Sequence, residues 1–115
     1  MTALARTMSC ARLRKPAEFK AVFDAGRRHT TRYFTAVVSN SPSDVARIGF
    51  AISKKIAARA VDRNRLKRLT RESFRHQQAA LPAVDIVMLG RAGCAKANNT
   101  ELRTSLRDLW TQIAA

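Results

Sequence analysis

A run of cationic residues between Lys54 and Arg75 has the side chains needed to bind a polyanion. Nine of the 22 Lys and Arg residues lie there, with only two acids, Asp62 and Glu72. From Asp62 onward the run has no Gly or Pro, so it predicts a helix. Successive residues turn by about 100°, and one face therefore contains Leu66, Leu69, Thr70 and Ser73. The opposite face contains Asn64, Lys67, Arg68, Arg71 and Arg75.

The composition of this second face favours phosphate as its ligand. Arginine predominates, and its planar guanidinium group donates paired hydrogen bonds to phosphate oxygens. Asn64 adds an uncharged donor and acceptor suited to sugar hydroxyls or base edges, and the helix N-terminus near Asp62 supplies free N–H groups. A solvated surface helix is the alternative, but such a face usually mixes both charges. These residues indicate nucleic acid without choosing between DNA and RNA.

Two aromatic residues near the N-terminus form a second candidate surface. Phe19 and Phe23 lie among Arg12, Lys15 and Lys20. Aromatic rings between cations form the kind of surface on which single-stranded nucleic acid stacks. Packing in the core is the alternative, and both roles hold together if part of each ring stays open.

The chain has few residues suited to chemical catalysis. His29 and His76 are isolated, and the eight acids are scattered, which argues against a two-metal nuclease centre. Cys10 and Cys94 lie far apart without a Cys or His cluster, so we expect two free thiols and no zinc site. We therefore predict no catalytic and no metal-binding residue on this chain.

Charge and length limit the class of protein. A formal net charge of +14 and an isoelectric point near 11.6 indicate a polyanionic partner. Nucleic acid is favoured over an acidic membrane surface, because no exposed apolar helix face or lipidation motif stands out. No run of 18 apolar residues suggests a membrane span. We expect one cytoplasmic domain over residues 1–115, with residues 1–10 as a mobile tail.

The remaining patterns predict the elements that position these residues. A short helix runs from Pro16 to Gly26, with Gly26 in the left-handed conformation past its end. Residues 27–32 form a possible edge strand, and residues 33–39 and 46–53 form two strands that we expect to pair as an antiparallel hairpin. An apolar run at 84–89 predicts a buried strand. The last helix begins near Asn98, with Glu101 completing a capping box.

Residues 63–75 read Arg-Asn-Arg-Leu-Lys-Arg-Leu-Thr-Arg-Glu-Ser-Phe-Arg, and they closely resemble the signature helix of the bacterial ribonuclease P protein component. The resemblance extends to further residues along the chain: Arg12, Leu13, Phe19, Phe23, Gly26, Gly49, Ser53, Lys54, Lys55, Leu81, Pro82 and Asp85. It implies an α+β two-layer sandwich of order α-β-β-β-α-β-α, like ribosomal protein S5 domain 2. The mixed sheet would have about four strands and an uncommon left-handed crossover between its parallel strands.

The resemblance also implies a division of labour with RNA. In that family the RNA subunit, with its Mg²⁺ ions, removes the 5′ leader of precursor tRNA, while the protein carries no cofactor and no reacting group. The family's role needs no membrane and no obligate protein partner. By matching positions, the RNA subunit would be bound by Lys54, Lys55, Arg59, Arg63, Asn64, Arg65, Lys67, Arg68, Arg71 and Arg75.

The same matching assigns the leader to a cleft beside the first helix. That cleft would be lined by the sheet face and by Arg12, Lys15, Phe19 and Phe23. Family members often carry an aromatic residue where Val37 stands here, and Asp24 lies close to the cleft. Both positions depart from what a phosphate-binding, base-stacking surface favours.

Two other functions are compatible with parts of the pattern. A structural RNA-binding protein, such as a small ribosomal protein, would share the charge and the fold class without accelerating RNA cleavage. A helix-turn-helix DNA regulator fits less well, because a strand and a long loop precede the basic helix where that motif has another helix and a tight turn.

Overall fold

The computed structural model describes residues 12–13 and 15–114, and its elements follow the order predicted from the sequence. Helices α1, α2 and α3 span Pro16–Ala25, Ala60–Gln77 and Asn99–Ala114. Strands β1 to β4 span Arg27–Thr30, Phe34–Asn40, Arg47–Phe50 and Val84–Gly90. The α+β class and the order α-β-β-β-α-β-α are therefore confirmed. The predicted mobile tail, residues 1–10, and Cys10 lie outside the described residues.

Strand β4 is the centre of a four-stranded mixed sheet with the order β1-β2-β4-β3. It pairs antiparallel with β2 and parallel with β3, and α2 connects the parallel pair. The expected hairpin between β2 and β3 is wrong, because β4 lies between them; β2 forms its hairpin with β1. Apart from Asp85, β4 is apolar on both faces, and it therefore takes the inner place. The left-handed sense of the crossover stays a prediction from the family resemblance.

The two faces of the sheet support cores of different size. The larger core lies between the sheet and helices α2 and α3, and it includes Phe34, Ile48, Ile86 and Met88 with Leu66, Leu69, Phe74, Leu102, Leu106 and Leu109. The smaller core, on the opposite face under α1, contains Leu13, Val22, Val37 and Val87. The sandwich thus has its main helical layer on one face and a single covering helix on the other.

Helix α1 ends at Ala25, and Gly26 follows it. The predicted left-handed conformation of Gly26 is wrong, and a glycine is needed here for a different reason. Its φ of −79° and ψ of 155° are extended. A Cβ at this position would lie 2.4 Å from Val22 O and 2.6 Å from Val37 Cγ1. The glycine therefore permits close approach of the helix end to β2.

The predicted start of α3 is confirmed by a complete capping box. Asn98 Oδ1 accepts from the Glu101 N–H at 2.9 Å, and Glu101 Oε1 accepts from the Asn98 N–H at 3.1 Å. The apolar stripe of this helix is buried, as is Trp110 beside it. Trp110 Nε1 donates to Ser73 Oγ at 2.7 Å, which joins α3 to the inner face of α2.

One ion-pair cluster lies largely inside the molecule. Arg47 donates to both Asp85 oxygens at 2.8 and 2.7 Å and to Glu18 Oε2 at 3.0 Å. Its side chain is 19% exposed and that of Asp85 is 6% exposed. The hydrogen-bonded Asp85 carboxylate raises the pKa of Arg47 above its ordinary value. The cluster links α1 to β3 and β4.

We expect Arg47→Met to lower the free energy of unfolding by about 3 kcal/mol, because it leaves the buried Asp85 carboxylate without a partner. Lys20→Met is the matched control: it breaks the exposed Lys20–Asp24 pair, with side chains 77% and 62% exposed, and should cost less than about 1 kcal/mol. Urea unfolding of the two variants measures the difference. Equal losses would contradict the structural role of the Arg47 cluster.

Candidate RNA-binding site

Helix α2 starts two residues earlier than the sequence suggested. Its first residue is Ala60, and Arg59 occupies the N-cap position without a side-chain cap bond. Asp62 is therefore in the first turn of the helix. Its negative charge interacts favourably there with the positive end of the helix dipole. Asp62 Oδ2 lies 3.9 Å from Arg59 Nε, a loose ion pair on an exposed side chain.

The outward face of α2 carries the predicted cations, and we name Asn64, Lys67, Arg68, Arg71 and Arg75 the basic row. Asn64, Arg68 and Arg75 are exposed, whereas Lys67 and Arg71 are half-buried. The Arg71 guanidinium carbon lies 5.8 Å from the centre of the Phe50 ring, at the end of edge strand β3. The inner face packs as predicted through Leu66, Leu69 and Thr70, with Phe74 as a fully buried addition.

None of the basic row is neutralised by a carboxylate within the described residues. Over that part of the chain, the ion pairs within 4 Å are Lys20–Asp24, Arg47–Glu18, Arg47–Asp85 and Arg59–Asp62. Glu72 stands four residues after Arg68, yet the two do not form an ion pair at this distance. The row therefore presents positive charge to solvent, and an external anion would compensate it.

Two arginines of the Arg-Asn-Arg motif turn inward and bind backbone carbonyl groups. Arg63 Nη1 donates to Ala57 O at 2.8 Å and to Ala58 O at 2.9 Å. Arg65 donates to Asn99 Oδ1 at 2.7 Å, Ala97 O at 2.9 Å and Ala95 O at 3.1 Å. Arg63 thus secures the loop before α2, and Arg65 secures the segment before α3. Asn64, between them, is the exposed member of the motif.

The loop before α2 adds three further predicted residues. Lys54, Lys55 and Arg59 are all exposed. Arg32, Arg91 and Lys96 are also exposed and lie in loops near this end of the sheet. Sequence patterns did not indicate these last three residues, because Arg32 lies in a different segment from Arg91 and Lys96 and no spacing along the chain relates any of them to α2.

The open face of the sheet forms a trough beside α1. Helix α1 crosses the sheet over Val37, Val87 and Gly49, which are register partners on β2, β4 and β3. The next row of the same face contains Thr30, Thr35 and Leu89, followed by Ala51. These residues are half-buried or exposed, so the row forms the floor of the trough.

Phe19 and Phe23 form the α1 side of this trough. Phe19 is half-buried, and a Cβ on Gly49 would lie 2.6 Å from Phe19 Cζ, so only glycine lets the ring rest on β3. Phe23 is 41% exposed, one of two large apolar residues so exposed in the described chain. Phe19 thus packs against the small core, as the core interpretation predicts, and Phe23 leaves its ring accessible.

The other aromatic residues near the sheet, and Val37 at the position where the family often has an aromatic residue, do not add stacking surface. Val37 is buried under α1, and Phe34 is fully buried in the larger core. Tyr33 is also buried, and its hydroxyl donates to Glu101 Oε2 at 3.3 Å. Asp24 forms an ion pair with Lys20 at 2.7 Å, which partly neutralises its charge.

The remaining predicted leader residues lie apart from the trough centre. Arg12 forms an isolated β-bridge with Ile48 on the outer side of edge strand β3. The side chains of residues paired in this way point to the same face of the sheet. Arg12 is therefore directed towards the α2 face, while Leu13 enters the small core. Lys15 is exposed at the N-terminus of α1, where its backbone N–H donates to Glu18 Oε1 at 2.9 Å.

The described residues show no group of three or more His, Cys, Asp or Glu side chains that could hold a metal ion. His29 and His76 lie on different elements, β1 and α2. Cys94 is a free buried thiol, and burial raises its pKa. Over the same residues, no helix is long and apolar enough to span a membrane.

Comparison with known proteins identifies the family. The ribonuclease P family model matches residues 8–114. The chain belongs to the ribonuclease P protein family. The ribonuclease P protein component of Legionella pneumophila (strain Corby) is 45% identical over 104 residues, covering 90% of each chain. That of Thioalkalivibrio sulfidiphilus is 42% identical over 90% of this chain and 86% of the relative.

Solved structures of the family share the fold. The RNase P protein of Staphylococcus aureus superposes with a TM-score of 0.83 and 28% identity, covering 90% of this chain and 95% of that one. The RNase P protein of Thermotoga maritima gives a TM-score of 0.79 at 28% identity, covering 90% and 98%. The protein is thus a subunit of the enzyme that matures the 5′ end of tRNA.

We expect Arg65→Ala to lower the free energy of unfolding by about 2 kcal/mol, because it removes charge-assisted bonds to Ala95, Ala97 and Asn99. Arg68→Ala is the control, since Arg68 is exposed and forms no ion pair with the described residues; the stability of this variant should change by less than about 0.5 kcal/mol. Urea unfolding monitored by circular dichroism measures both. If the two variants are equally stable, Arg65 does not hold the segment before α3.

Proposed function

We propose that this protein binds the RNA subunit of ribonuclease P through the basic row and the loop at 53–59, and holds the 5′ leader of precursor tRNA in the trough beside α1. The observation that carries the proposal is the unneutralised basic row. Its guanidinium groups match phosphate geometry, and none of them pairs with a carboxylate of the described residues. Binding to the RNA subunit would release counterions from that RNA.

In this mechanism the protein positions RNA and supplies no reacting group. Hydrolysis, with its Mg²⁺ ions, belongs to the RNA subunit. The two surfaces lie on opposite faces of one sheet, so bound RNA subunit and bound leader would be held in a fixed relation. Holding reactants in place lowers the entropic barrier to reaction without protein side chains taking part. We place this activity in the cytoplasm, with no membrane and no obligate protein partner.

A purely structural RNA-binding protein, the alternative left open by the sequence, would share the basic row, but the family match does not favour it. The trough favours the ribonuclease P role, because an accessible aromatic ring beside an open sheet face suits a single strand. Adding the protein to the RNA subunit at physiological magnesium tests the choice directly. Faster removal of the 5′ leader supports the proposal; RNA binding without faster cleavage would support the structural alternative.

Loss of two exposed arginines from the basic row should weaken assembly without unfolding the protein. In the variant Arg68→Gln/Arg75→Gln, we expect the slope of log affinity for the RNA subunit against log salt to decrease by about two. This is the change that the loss of two phosphate contacts would cause. The control is Arg27→Gln/Arg107→Gln, which removes equal charge from β1 and from α3, at exposed residues outside the basic row and outside the loop at 53–59. Equal effects of the two double variants would exclude a specific role for the row.

The trough predicts a selective defect in substrate binding. We expect Phe23→Leu to lower holoenzyme affinity for leader-containing precursor by about tenfold, from loss of one base stack, with affinity for mature tRNA unchanged. Phe23→Tyr keeps the ring and should restore binding. Affinities measured with both tRNA forms provide the test, and an equal loss for precursor and mature tRNA would contradict leader binding by the trough.

A further inference from the structure

We propose that the RNA-subunit surface continues from α2 across the end of the sheet, where Arg32, Arg91 and Lys96 contact further phosphates. Together with Lys54 and Lys55 these residues are named the sheet-end patch. The proposal rests on the function proposed above and enlarges its binding surface. The three added residues come from the turn between β1 and β2 and from the segment between β4 and α3.

Backbone and side-chain bonds hold Arg32 and Arg91 at the same place. The Arg91 N–H donates to Tyr33 O at 2.9 Å, and Arg91 Nη1 donates to Thr31 O at 2.7 Å. The carbonyl groups of both neighbours of Arg32 are therefore bonded to Arg91. The Arg32 guanidinium carbon lies 5.1 Å from the Tyr33 ring centre, which orients the side chain.

The lysine loop and the segment with Lys96 meet at the end of β4. A Cβ on Gly90 would lie 3.1 Å from Cys94 Sγ and 3.2 Å from Ile56 Cγ2, so the turn with Lys54 and Lys55 adjoins the segment after β4. Lys96 lies between Ala95 and Ala97, the two residues whose carbonyl groups Arg65 binds. The patch is thus joined to the first turns of α2.

The patch carries charge of one sign. All five of its side chains belong to exposed residues, and the segments 31–33, 51–58 and 91–98 contain no Asp or Glu. The Glu101 carboxylate contacts two of these segments, and it accepts bonds from the Asn98 N–H and the Tyr33 hydroxyl. Arg91 Nη1 donates to Thr31 O, and the other guanidinium N–H groups of Arg91 are available to a ligand.

The position of the patch relates it to both proposed surfaces. Helix α2 starts from this end of the sheet and runs back over one face, while the trough floor, Thr35 and Leu89, is one row away on the other face. Continuity with α2 through Arg65 and the lysine loop favours the RNA subunit as the ligand. Its folded backbone supplies many closely spaced phosphates, which suit cations from three separate loops.

Arg32→Gln/Lys96→Gln in the full-length protein tests the proposal. Affinity for the RNA subunit is measured over a range of NaCl at fixed Mg²⁺. We expect the slope of log affinity against log salt to decrease by about two and affinity at moderate salt to fall by about tenfold. Urea unfolding should match that of the unmodified protein, because both side chains are exposed. Lys96→Gln alone is a second variant, expected to lower the slope by about one.

Arg27→Gln/Arg107→Gln is again the charge-matched control. A slope change confined to Arg32→Gln/Lys96→Gln supports the proposal; equal changes in both variants, or none in either, overturn it. A defect seen only with precursor tRNA, and growing with leader length, would assign the patch to substrate and also overturn it.

Arg68→Gln/Arg75→Gln separates this proposal from the broader function. If that variant weakens assembly while Arg32→Gln/Lys96→Gln does not, only the extension to the sheet end fails. If neither variant weakens assembly, the proposed role of the basic row fails with it.

Discussion

The hydrogen bonds that β4 makes on both of its sides determine where everything else in this protein lies. Because β4 pairs antiparallel with β2 and parallel with β3, the chain must cross the sheet between β3 and β4, and α2 is that crossing. An inner strand that is apolar on both faces apart from Asp85 also requires cover on both faces. Helices α2 and α3 cover one face and α1 covers part of the other. The basic row and the trough are thereby fixed on opposite faces of one rigid sheet.

The distribution of acids explains how so basic a chain keeps its binding surface charged. Glu18 and Asp85 hold Arg47, where burial makes pairing necessary. Asp24 pairs with Lys20 on α1, and Glu101 caps α3. Arg63 and Arg65 are satisfied by carbonyl groups, which carry no full charge and leave the local field positive. These four acids are thus engaged within the fold, and the cations of the basic row form no ion pair with a carboxylate of the described residues.

Sequence patterns predicted single elements and chemistry better than their arrangement. The capping box of Asn98, the apolar stripe of α3 and the cationic face of α2 all depend on local spacing, and the structure confirms them. Pairing depends on residues far apart in the chain, so the alternation in residues 46–53 could not show that β4 would separate β3 from β2. Inward turning of Arg63 and Arg65 likewise depends on carbonyl groups of neighbouring loops. Arg32, Arg91 and Lys96 come together only through tertiary contacts.

Trp110 is the chain's single tryptophan, and its indole N–H is bonded to Ser73 on the inner side of α2. Trp110 as a whole is 3% exposed, and its ring lies on the opposite side of that helix from the basic row. Nucleic acid on the row would therefore not touch the indole. The fluorescence of this one residue consequently reports whether α2 stays packed against α3. A shift of its emission wavelength on adding RNA would measure movement of the helix rather than quenching by direct contact.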